Sequence, residues 1–121
     1  MPENNSQYDV IVIGAGVAGL YQLYKLRQLK LKVLVIEAGD NVGGTWYWNR
    51  YPGARFDSES WSYGYSFSRE LFEEWDWPEH FAAQPDTLRY LNYVADKFDL
   101  RRDINFNRRV KAALFSEENN S

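Results

Sequence analysis

Three glycines and one acid carry the first chemical signal. Gly14, Gly16 and Gly19 sit in "GAGVAG", the spacing G-x-G-x-x-G, and Glu37 follows 18 residues after the last of them. In such a run the first glycine permits a tight turn, the second lets backbone approach a pyrophosphate, and the third lets helix and strand pack closely. Ala18 belongs to the same turn. A helix opening there presents free N–H groups and partial positive charge to an anion. Glu37 would accept hydrogen bonds from a ribose diol, and its charge would repel a 2′-phosphate, favouring FAD or NAD over NADP at this position.

A second group lies in "GGTWYWNRYPGARFDSES", residues 43 to 60. Gly43 and Gly44 again allow close backbone approach, and Thr45 and Trp46 add a hydroxyl and a flat ring. Thirteen of the chain's 21 aromatic residues fall between Trp46 and Phe81, a density suited to lining a cofactor and a partner domain. That favours FAD, the longer dinucleotide. Asp57 opens "DSES" and reads either as a site carboxylate or as a helix cap. On residue type alone Trp48, Trp75 and Trp77 are core or interface rings, and His80 is a surface residue. Arg108 and Arg109 read as a solvated strand face, and the apolar Val110 could act only through its backbone. No metal site is expected.

The elements that must position these groups follow from apolar periodicity. "YDVIVIG" (8 to 14) reads as a strand covered on both faces, "VAGLYQLYKLRQL" as a helix and "KVLVIE" (32 to 37) as a second strand, together a βαβ unit. A loop-rich aromatic excursion runs from about 38 to 84. "QPDTLRYLNYVADKFDL" is a helix with Pro85 and Asp86 as start signals and Leu88, Leu91, Val94 and Phe98 on one face. "DINF" would be a third parallel strand, and "RRVKAALF" a half-exposed strand beginning an antiparallel element. The expected class is therefore α/β, a Rossmann-like dinucleotide-binding unit with a parallel sheet. Residues 1–7 form a polar tail and 8–121 the N-terminal part of an FAD-binding domain, whose ending in mid-element suggests a fragment of a larger flavoprotein with two dinucleotide domains.

Charge and composition exclude other classes. Fourteen basic against 17 acidic side chains give a net charge of −3 with both signs interspersed, so neither a nucleic-acid footprint nor a polybasic membrane patch is expected. No cysteine occurs, which removes disulfides and thiolate metal sites. "MPENNSQ" lacks an apolar signal region, and no apolar run approaches the ~20 residues of a membrane span. The expectation is a soluble, cytoplasmic protein.

"YDVIVIGAGVAGL", "VIEAGDNVGGTWYWNRYPGARFDSES" and "EWDWPEHFAAQPDTLRYLNYVADKFDL" resemble the N-terminal part of the flavin-dependent Baeyer-Villiger monooxygenases. The similarity runs from about Tyr8 to Phe115. Family members are longer and carry FxGxxxHxxxW and a second GxGxxG, neither of which occurs here; "WPEHFAA" does not match the former. The resemblance implies an enzyme that binds FAD, reduces it with NADPH and uses dioxygen to insert one oxygen atom into a ketone, giving an ester or lactone. It also implies that the remaining FAD and NADPH domains of the parent chain are partners of this one. It assigns Gly14, Gly16 and Gly19 to the pyrophosphate and Glu37 to the ribose. Gly44, Thr45, Trp46, Tyr47 and Trp48 would run along the flavin side. By the same resemblance Asp57 and Tyr63 reach the flavin and active-site region, Arg55, Phe56 and Asp57 border the nicotinamide cofactor, and Val110 meets the adenine through its backbone. Asp57 would hold a cationic side chain near the flavin, the one catalytic role expected here. An N- or S-oxidising flavin monooxygenase and a non-catalytic dinucleotide-binding module remain as alternatives.

Overall fold

The computed structural model describes residues 7–121, so residues 1–6 of the expected polar tail lie outside the described residues, and Gln7 is exposed. Strand β1 (Val10–Ile13), helix α1 (Val17–Gln28) and strand β2 (Val33–Ile36) form the βαβ unit. Val10 to Ile13 run parallel to Val33 to Ile36 in register. Strand β3 (Ile104–Asn105) adds on the far side of β2, also parallel, giving the order β1-β2-β3. The Rossmann-like α/β class is as expected from the sequence.

Helix α1 starts at a bare glycine cap, Gly16, and turns Leu20 and Leu23 into the core beside Val33 and Val35. The chain reverses after it through Lys30 at positive φ. Arg27, in the last turn of α1, fixes the opposite corner: it donates to Asp103 at 2.9 Å and to the Phe98 and Asp99 carbonyls at 2.9 and 2.7 Å. Among the described residues only one sheet face is packed. Ile11 and Ile13 are 54% and 65% exposed, which corrects the expectation of a strand covered on both faces. The continuous apolar run is still that of a parallel strand, but no described element lies over its second face.

The aromatic excursion contains three short helices: α2 (Thr45–Trp48), α3 (Ser60–Tyr63) and α4 (Arg69–Glu74). They pack toward α5 (Gln84–Lys97), which carries Pro85 in its first turn and buries Thr87, Tyr90, Leu91, Val94 and Ala95. The Gln84 side-chain amide donates to the Trp46 carbonyl at 2.5 Å and ties α5 to α2. Tyr90 sits in a nest of rings, with Trp77, Trp75 and Tyr65 centroids at 4.8, 5.2 and 6.0 Å. Trp46, Phe56 and Tyr90 are thereby part of the one hydrophobic core that also holds Leu20 and Val35, and Tyr63, Tyr65, Phe67, Trp75 and Trp77 pack against it. For Trp75 and Trp77 this is as residue type suggested.

Residues 108–115 do not form the expected strand. Alternation of polar and apolar residues permits a strand, but a strand also needs a partner ladder, and none reaches this segment among the described residues. Antiparallel pairing among the described residues is limited to the isolated bridge between Arg55 and Ala83.

Candidate functional site

The glycine-rich turn leaves β1 where Gly14 takes φ +100°, a region open chiefly to glycine. Its N–H donates to the Ile36 carbonyl at 2.9 Å, joining the ends of β1 and β2. A Cβ on Gly19 would stand 1.9 Å from the Gly14 carbonyl oxygen, so close packing of α1 on the turn needs glycine there. The second glycine pair meets the first: a Cβ on Gly16 would lie 3.2 Å from the Gly44 Cα. Gly43 donates to the Ala15 carbonyl at 3.0 Å. Helix α1 has no side-chain cap and no acid in its first turn, so its N-terminal N–H groups are left for an anion.

Glu37 is buried just beyond β2, and both carboxylate oxygens are engaged. One accepts the Ala15 N–H and the other the Gly39 N–H, each at 2.7 Å. It therefore clamps the glycine turn to the turn after β2 while lining the adjoining cavity.

Two cavities, of about 420 and 360 Å³, share Ile13, Gly14, Gly16, Gly44 and Thr45. Together they make one groove with the glycine turn at its middle. One arm runs past Glu37 and Ala38 to Trp48, Arg108, Arg109 and Val110. The other runs past Ala18 and Gly19 to Trp46 and Tyr63. Trp46 Nε1 donates to the Tyr63 hydroxyl at 2.7 Å and fixes both rings there. Trp48, 58% exposed, is a groove residue, which corrects its reading as a core ring.

Not every expected residue reaches the groove. Tyr47 lies behind it, its hydroxyl donating to Asp40 at 2.6 Å. Arg55, Phe56 and Asp57 line a separate, open cleft of about 550 Å³ with Glu79, His80 and Phe81. There Arg55 donates to the Phe81 carbonyl at 2.7 Å and faces Glu79 at 3.2 Å, while His80, on the surface, lies 3.0 Å from Glu59. Asp57 is exposed and has no hydrogen-bond or ion-pair partner among the described residues. Helix α3 is capped by Glu59 backbone with no side-chain bond, so the cap reading of Asp57 is set aside. Phe56 of the cleft stacks on Tyr63 of the groove, with ring centroids 4.2 Å apart.

Two residues line the groove that the sequence did not single out for it, and a third, Tyr65, braces the start of α1 behind it. Arg108 and Arg109 line the groove because Asn107, at φ +59°, and the Arg108 N–H bond back to the Gly39 and Glu37 carbonyls at 2.9 and 3.0 Å. Their place next to Val110 was the available signal. Tyr65 donates its hydroxyl to the carbonyl of Val17, the first residue of α1, and its backbone N–H to the Tyr90 hydroxyl at 2.8 Å. Burial raises the pKa of both phenols, that of Tyr90 to about 12. Nothing in sequence spacing marks Tyr65.

Residues 12–73, just over half of the chain, match the family described as NAD(P)-binding Rossmann-like domain. The chain belongs to that family. This Rossmann-like domain is 52% identical over 112 residues to the acetone monooxygenase (methyl acetate-forming) of Gordonia sp. strain TY-5, covering 93% of the chain and 21% of that relative. It is 48% identical over 115 residues to the phenazine N-monooxygenase PhzNO1 of Lysobacter antibioticus, covering 94% and 21%. The crystal structure of OTEMO in complex with FAD and NADP superposes with a TM-score of 0.87 at 54% identity, over 92% of this chain and 21% of that one. The Rossmann-like domain thus spans about a fifth of the length of the relatives it matches. These likenesses bear out the resemblance to Baeyer-Villiger monooxygenases read from the sequence.

Proposed function

We propose that this chain supplies the FAD-binding portion of an NADPH-dependent flavoprotein monooxygenase that inserts one oxygen atom of dioxygen into a ketone. The observation that carries the reading is the groove: its middle is an uncapped helix N-terminus beside Gly14 at positive φ and Gly19 and Gly44, where a Cβ would come within 3 Å of backbone, and its two arms diverge from there. A dinucleotide has that layout, a diphosphate between two ring systems. Gly14, Gly16 and Gly19 would hold the diphosphate, Glu37 and Val110 the adenosine half, and Thr45, Trp46 and Tyr63 the flavin half. The same arms with the ring halves exchanged would fit no better, because Glu37 ends β2 where a ribose diol is bound in such folds.

When bound, FAD supplies the redox chemistry that links hydride from NADPH to dioxygen. Asp57, unpaired in its cleft beside Phe56 and Tyr63, is free to hold a cation near the flavin end. Similarity to the acetone monooxygenase supports a ketone as substrate. A second reading, oxidation of a ring nitrogen, is favoured by the similarity to the phenazine N-monooxygenase. A cytoplasmic location belongs to the same proposal; among the described residues no helix is long and apolar enough to cross a membrane.

The test uses the product of the longest open reading frame that contains these residues. FAD is titrated in while flavin fluorescence is followed, and NADPH consumption is then measured against a panel of ketones and of aromatic N-heterocycles. Saturable FAD binding with ketone-dependent NADPH oxidation supports the first reading. Turnover confined to the heterocycles selects the second, and absence of FAD binding rejects both.

A further inference from the structure

We propose that Arg108 and Arg109 form a cationic jaw on the dinucleotide groove, a second contact for the diphosphate besides the glycine turn. The inference rests on the FAD reading above. Both arginines line the same cavity as Gly14, Ala15 and Gly16. Their position is built into the backbone: the Arg108 N–H donates to the Glu37 carbonyl, Glu37 N–H donates to Asn105, and Asn107 N–H donates to Gly39. The 107–110 turn is thereby stitched to the end of β2, and its side chains stay near the groove.

Arg108 and Arg109 differ from the other arginines in lacking a partner for their charge. Arg27, Arg55, Arg69, Arg89, Arg101 and Arg102 each face an acid within 4 Å. Arg50 donates to the Tyr47 carbonyl and lies over the Tyr47 ring. Among the described residues Arg108 donates only to the Asn107 carbonyl, at 3.3 Å, and Arg109 has no side-chain partner. The single acid of that cavity, Glu37, has each oxygen taken up by a backbone N–H. Two exposed arginines with no acidic partner among the described residues thus line a cavity whose one acid is already engaged by backbone N–H groups. A guanidinium fork matches phosphate oxygens in pairs, and such charge-assisted bonds are about twice as strong as neutral ones. The jaw would select ligands carrying a diphosphate over those carrying the adenosine alone.

The test compares wild type with Arg108→Gln/Arg109→Gln, both in the product of the full open reading frame, using calorimetric titration with FAD, ADP and adenosine. Wild type is expected to prefer ADP to adenosine. The double variant should lose at least tenfold in affinity for FAD and ADP, keep its affinity for adenosine, and show a flatter dependence on ionic strength. Arg109→Lys on the Arg108→Gln background, which restores a charge, should recover part of the loss. Unchanged ADP affinity in the double variant overturns the jaw while the FAD reading stands. Equal loss for all three ligands overturns it too, because damage to the fold would then explain the result. If wild type binds no FAD, the reading beneath fails, and the jaw is decided by whether the double variant binds ADP more weakly than wild type while binding adenosine equally.

Discussion

The Glu37 carboxylate accepts the Ala15 backbone N–H at 2.7 Å, with its other oxygen 2.7 Å from the Gly39 N–H. The acid expected to greet a ribose is thus also a structural clamp. Glu37→Gln keeps one acceptor and places an NH₂ group against a backbone N–H, leaving a buried donor unmatched. Losing a charge-assisted bond of this kind costs about 1.5–3 kcal/mol. The variant is expected to lose stability in urea even with no nucleotide present, and to release FAD more readily on dilution. Wild-type stability with weakened FAD retention would mean that the clamp contributes nothing and that the ribose role stands alone.

Gly19 gives a sharper steric test. Its Cβ would meet the Gly14 carbonyl oxygen at 1.9 Å, a backbone atom that cannot swing aside. Gly19→Ala should cost on the order of 3 kcal/mol or more, beyond ordinary overpacking. At Gly53, by contrast, a Cβ meets nothing within 4 Å, although φ is +85°. Gly53→Ala should therefore cost only the strain of that conformation, about 1 kcal/mol. Thermal melts of the two variants, ranked against wild type, check the order.

Asp57 is predicted to matter for turnover and not for folding. It has no partner among the described residues and caps no helix. Asp57→Ala should shift stability by no more than about 0.5 kcal/mol while depressing oxygenation with FAD still bound. A cap would instead cost about 1 kcal/mol and leave turnover alone. Paired measurement of melting temperature and kcat separates these outcomes.

Alkaline pH should loosen the start of α1. Tyr65 and Tyr90 have folded pKa values raised by burial, that of Tyr90 from 10.0 to about 12. A raised phenol favours the folded state through its bound proton. The contribution is complete below pH 10 and is lost as pH rises toward about 12. Unfolding free energy is therefore expected to fall across that window, and Tyr90→Phe should flatten the slope. An equal slope in the variant would assign the loss to other groups.

The sequence made the βαβ unit legible because three constraints coincide there: apolar strands, a glycine run that only one backbone shape explains, and an acid at a fixed distance. Helix α5 was equally plain from Pro85 and its apolar stripe. Three features escaped. Alternation at Val110, Ala112 and Leu114 suggests a strand, but pairing depends on a partner that local pattern does not supply. The ring-rich excursion suggested a cofactor lining, yet Tyr65, Trp75, Trp77 and Tyr90 pack on one another, since ring count reports burial and not what is buried against. Arg108 and Arg109 are solvated, as residue type suggested, but on a loop and not a strand, placed at the groove by the hydrogen bonds of Asn107 and Arg108 to distant carbonyls.

The central claim, an FAD groove serving oxygen insertion into a ketone, is tested most directly with isotopic dioxygen. The product of the full open reading frame, loaded with FAD, is supplied with NADPH, a ketone and ¹⁸O₂, and the product is examined by mass spectrometry. The account predicts an ester or lactone carrying one ¹⁸O atom, formed in step with NADPH consumed. NADPH oxidation that yields no labelled ester from any ketone, or label appearing only on nitrogen of a heterocycle, would contradict it.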